Sequence, residues 1–107
     1  HNDEQFVEAS RVFAERILKS PAKSFQERLK WAFELATGHP ADAFRQKVIK
    51  DSYHSQLKVF EQEPGRAADL LQIGESPRDD SLDKIQHAAW TILCSMILNL
   101  DEAMNRE

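Results

Sequence analysis

Between Leu82 and Met104 the chain reads LDKIQHAAWTILCSMILNLDEAM, and its apolar positions recur at helical spacing. Leu82, Ile85, Ala89, Leu93, Met96 and Leu100 share one face, with Trp90 and Ile97 on one flank and Ile92 on the other. The polar stripe is thin, formed by Lys84, Thr91, Ser95 and Glu102, and carries charge only at its two ends. Such a helix is expected to be covered on nearly all sides, with the other elements gathered around it.

Three further amphipathic segments precede it. The first is expected over Asp3 to Lys19, with Asn2 as N-cap, Asp3 and Glu4 at the positive end of the helix dipole, and Ser20–Pro21 as the stop. Phe6, Ala9, Ser10, Phe13 and Ile17 line its inner side, and Glu4, Glu8, Arg11 and Glu15 its outer side. The second opens at Ser24, which with Glu27 has capping-box spacing, and closes at Gly38. Its inner face is Phe25, Leu29, Ala32, Phe33 and Ala36, and Trp31 falls off that face. Pro40 is placed to open the third, expected over Ala41 to Gln62. There Phe44, Val48, Ser52, Ser55 and Val59 form one strip beside Ile49, Tyr53, Leu57 and Phe60, which predicts contact with two neighbours. Pro64 and Gly65 end it, a short helix follows over Arg66 to Gln72, and Gly74 to Asp79 is irregular. Asp80, aided by Asp83, is expected to cap the last helix.

No strand-period alternation, internal repeat or low-complexity tract appears, so the fold class is all-α. The expected architecture is a single-domain helical bundle over 1–107, with four main helices, one short helix and the C-terminal helix central. Short links after the first two helices favour antiparallel neighbours. At 107 residues the chain can bury roughly two-thirds of its unfolded surface, enough for a core. A net charge of -4 without a Lys/Arg block argues against nucleic acid as a partner. No apolar run reaches the ~18 residues of a membrane span, so direct membrane insertion is not expected. Cys94 is the single cysteine, so the fold needs no internal disulfide. The chain begins with His1 rather than Met and is expected to be a piece of a longer protein.

The candidate chemistry is thin. Asp51 with His54 and Asp83 with His87 have helical ligand spacing, yet His54 lies among Lys47, Lys50 and Lys58, and His87 lies on a polar flank. Both pairs read as solvated surface. His39 before Pro40 reads as a turn or cap, and Cys94 as a small, partly buried filler without an activating cation. No serine sits in a nucleophile elbow, no CxxCH can attach haem, and no glycine-rich loop can hold phosphate. Neither catalytic residues nor metal or cofactor ligands are therefore expected in this chain. Trp31, with Leu35 and Val12, marks the margin of a wide apolar arc and is the candidate partner contact.

The runs NDEQFVEASRVFAERIL, ERLKWAFELATGHP and GESPRDDSLDKIQHAAWTILCSMILNLDEAMNRE cover nearly the whole chain. They resemble the C-terminal domain of unknown function in large planctomycete multidomain proteins. Asn2, Phe6, Val7, Trp31 to Gly38, Ala88 to Trp90 and Leu98 to Glu102 carry the resemblance most specifically. The resemblance implies upstream domains as partners, a cytochrome-c-like haem segment elsewhere in many parent proteins, and a periplasmic or cell-envelope location. It supplies no activity and no catalytic residues. The expected function is a non-catalytic scaffold or interaction domain closing the C-terminus of a larger protein, binding its upstream domains or another protein. The alternative is an accessory domain that lends one wall to an enzyme site upstream, which a bound ligand or a polar pocket gathering His54, His87 or Asp83 would favour.

Overall fold

The computed structural model describes residues 3–105, with side chains described over 3–101. Five helices follow in chain order: α1 (Glu4–Lys19), α2 (Phe25–Thr37), α3 (Ala43–Gln62), α4 (Pro64–Leu71) and α5 (Lys84–Asn105). No strand occurs among the described residues. The radius of gyration, 13.1 Å, is that of one compact domain of this length.

Helix α5 is the axis of the bundle. It packs against all four other helices, most extensively against α1, then α3, α4 and α2. Ala88, Ala89, Trp90, Leu93, Cys94 and Ile97 are buried around its middle, as the thin polar stripe requires. The burial goes further than the sequence predicts, because Thr91 and His87 are also enclosed. Thr91 returns its hydroxyl to the His87 carbonyl at 2.8 Å, which satisfies it inside the helix.

The main apolar cluster joins Ile17 and Leu18 of α1, Leu29 and Phe33 of α2, Ile49 of α3, and Trp90, Leu93 and Ile97 of α5. A smaller one joins Phe60, Ala67 and Leu71 to Ala88 and Ala89. Phe25, Tyr53 and Trp90 form a triangle of tilted rings, with centroids 5.0, 5.5 and 5.8 Å apart, at the meeting of α2, α3 and α5. Helices α2 and α3 otherwise make little direct contact. Each packs on α5 instead, so the short link between them does not make them close neighbours.

Several starts and faces differ from the sequence reading. Asp3 caps α1, its carboxylate accepting the Phe6 amide at 2.7 Å, while Asn2 lies outside the described residues. The inner face of α1 is Ser10, Arg11, Ala14, Ile17 and Leu18, rotated from the expected one, and Ala9 is exposed. Asp42 rather than Pro40 opens α3, accepting the Arg45 amide at 2.8 Å. Pro64 is the first residue of α4 rather than a terminator alone. For α5 the cap is Asp83, which accepts the Gln86 amide at 2.8 Å, whereas the side chain of Asp80 is almost fully exposed. The Ser24–Glu27 capping box and the left-handed Gly38 cap, at φ 77°, are present as expected. Of the two α3 strips, Ile49, Tyr53, Leu57 and Phe60 face α5 and α4, while Phe44 and Val48 remain exposed.

Candidate functional site

Two regions of the molecule present something other than a covered core. The first is apolar. Trp31 rises from the outer side of α2 and is 39 % exposed, because the inner face is already filled by Leu29, Ala32 and Phe33. Val12, 42 % exposed on α1, shares a groove with it, floored by Ser20 and Pro21 in the α1–α2 link and edged by Arg16 and Lys19. On the other side of the indole a second groove runs past Ala22 and between Glu27, Lys30 and Glu34. Leu35 is half-buried against the main cluster, so it supports the wall rather than lining either groove.

A second apolar surface was not singled out in the sequence. Phe44 is 76 % exposed, and with Val48, Ile49, Met96 and Leu100 it lines a groove of about 450 Å³ between the start of α3 and the end of α5. Periodicity placed Phe44 and Val48 in a packing strip. What it could not show is that the neighbouring strip alone satisfies both helices that α3 touches.

The other region is polar. The stripe of α1 that reads as solvated lies against residues 73–79, the segment between α4 and α5. The Glu8 carboxylate accepts the Ser76 amide at 2.7 Å and the Glu75 amide at 3.1 Å. Arg11 is 1 % exposed; its Nε donates to the Ile73 carbonyl at 3.1 Å and its Nη2 to that of Ser76 at 2.7 Å. Glu15 accepts the Asp79 amide at 2.9 Å, and Lys19 pairs with the Asp79 carboxylate at 2.9 Å. Gly74, at φ 95°, allows the close approach: a Cβ there would stand 2.4 Å from Glu8 Cδ.

These contacts set the local electrostatics. Hydrogen bonds from Ser76, ahead of that from the Glu75 amide, hold the Glu8 carboxyl below its ordinary range. The Ser81 hydroxyl, followed by Lys19, holds Asp79 well below its own. Hydrogen bonding to Asp79 raises Lys19. His87 of α5 is fully buried against α1, with Nε2 3.0 Å from the backbone carbonyl of Arg11. A carbonyl only accepts, so Nε2 carries the proton in the neutral ring, and Nδ1 meets no partner from the protein. The expectation of a solvated His87 is thus overturned. Its flank is closed by the α1 backbone at Arg11, whose own side chain is covered by a loop more than sixty residues away in sequence.

The remaining candidates have structural environments. Asp83 is engaged in capping, and Asp51 pairs with Lys47 at 3.1 Å. His54 is exposed beside Tyr53, so His54, His87 and Asp83 do not converge on a polar pocket. The His39 amide donates to the Thr37 hydroxyl at the end of α2. Cys94 is fully enclosed, and burial pushes its thiol up. Among the described residues no three of His, Cys, Asp and Glu gather as metal ligands, and no helix is long and apolar enough to cross a membrane. No protein-family model matches the chain, no curated protein matches it, and no solved structure matches it.

Proposed function

We propose that this chain is a non-catalytic helical interaction domain that closes the C-terminal end of a larger protein and docks there against upstream domains. The observation that carries the reading is the position of Trp31. A large ring, held by a helix whose inner face is already occupied, stands half in solvent between two grooves and beside exposed Val12. Aromatic anchors of this kind dominate protein contacts because one rigid side chain brings a large apolar area at little entropic cost. The resemblance in sequence supports a planctomycete multidomain parent located in the envelope. Any haem of such a parent belongs to another segment.

The test pairs two measurements on the double variant Val12→Ser, Trp31→Ser. Leu35 is left intact, because its contact with the core would confound stability with binding. Titration calorimetry against the upstream region of the parent protein should show association weakened by about tenfold or more, with the melting midpoint nearly unchanged. A large drop in the midpoint with unaltered association would assign the surface to folding and end this reading.

A further inference from the structure

Arg11 and Arg78, which fasten the segment 73–79, also face His87. Arg11 grips the Ile73 and Ser76 carbonyls from α1, and Arg78 grips the Asp79 and Leu82 carbonyls from within the loop. The imidazole accommodates them while neutral, with Nε2–H donated to the Arg11 carbonyl. A proton added at Nδ1 would be a buried donor without an acceptor, beside two guanidinium groups. Glu15 is the opposing charge facing the ring, and it is already engaged with the Asp79 amide. The charged groups of α4, Arg66 and Asp69, and Lys84 at the start of α5 are exposed, and Asp83, just before α5, caps that helix. Glu15 is thus the one charge acting on the ring that favours an imidazolium, against burial and two cations.

We propose that residues 73–79 form an acid-releasable strap, fastened to α1 by Glu8, Arg11, Glu15 and Lys19 and freed when the buried ring of His87, bonded to the Arg11 carbonyl, takes up a proton. The strap opens rather than the bundle because it is attached by hydrogen bonds and an ion pair rather than by packed apolar side chains. The main apolar cluster of Ile17, Leu29, Phe33, Leu93 and Ile97 has no group that titrates in mildly acidic solution. The direction of proton affinity agrees. Burial first, then the Arg78 and Arg11 cations, lower His87 from 6.5, against the opposing effects of the Arg11 carbonyl and Glu15. A base with a lowered folded value contributes fully above its unfolded value, and that contribution is lost as the pH falls through the folded one. Release is therefore expected below about pH 6.5, in the histidine range. The carboxylates of Glu8 and Asp79, held low by their own hydrogen bonds, give way only at stronger acidity.

Amide hydrogen exchange on the whole chain, corrected for intrinsic rates, tests this between about pH 7.5 and about pH 5. In the wild type, protection of the Ser76 and Asp79 amides should fall by about tenfold or more while that of Leu93 and Ile97 persists. His87→Gln keeps a donor for the Arg11 carbonyl but cannot titrate, and it should abolish the fall over this range. Should that variant fail to fold, ring NMR of His87 in the wild type replaces it, and the ring must titrate together with strap protection. Strap protection that is constant with pH, that falls equally in the glutamine variant, that disappears only with Leu93 and Ile97, or that changes without ring titration would overturn the proposal.

Discussion

Arg11 and Arg16 belong to the same helix and have opposite environments. Arg11 is enclosed and bonded to two carbonyls, whereas Arg16 stands in solvent beside the Trp31 groove. Arg11→Ala is expected to cost about 3 kcal/mol, because it leaves covered acceptors unpaired and empties a buried site. Arg16→Ala should stay within about 0.5 kcal/mol of the parent in the same urea titration. Trp90→Ala should cost about 3–5 kcal/mol by thermal melting, since the indole is fully enclosed and in ring contact with Phe25 and Tyr53. At this scale apolar spacing made the burial of Trp90 and the displacement of Trp31 from the α2 core legible. It did not reveal Arg11 or His87. Arg11 is set by peptide groups of a distant loop and His87 by the Arg11 carbonyl, and a backbone carbonyl leaves no mark in the identity of the residue that bears it.

Whole helices were more legible than their edges. All five segments form, and the box at Ser24 and the glycine at 38 end up where their chemistry demands. Three N-termini moved to the nearest acidic side chain with an extended backbone or a free carboxylate, namely Asp3, Asp42 and Asp83. Asp80 could have served α5 by composition alone. The chain between Asp79 and Leu82 turns back through an amide-to-carbonyl bond of 3.2 Å, and Arg78 holds the Leu82 carbonyl, so the helix opens only after that turn. Ser24→Ala and Asp83→Ala are each expected to cost about 1 kcal/mol by chemical denaturation, while Asp80→Ala should be nearly silent. A reversed ranking of Asp80 and Asp83 would show that α5 begins a turn earlier in solution.

Across the whole molecule, the order of helices along the chain differs from their order of importance. The hub of the bundle is its last helix, and α1, its most extensive partner, is its first. During synthesis, Ile17, Leu29, Phe33 and Ile49 emerge from the ribosome long before the surface they will cover. Loop closure across most of the chain must precede the largest gain in packing, which slows folding relative to bundles whose successive helices pair. A chain ending at Asp83 should accordingly show no cooperative melting transition by circular dichroism, and adding α5 as a separate peptide should restore one. Nascent chains therefore carry uncovered apolar faces until α5 has been made. Chaperones that hold unfolded polypeptides are accordingly expected to bind it at that stage, and its yield is expected to depend on how quickly α5 is made.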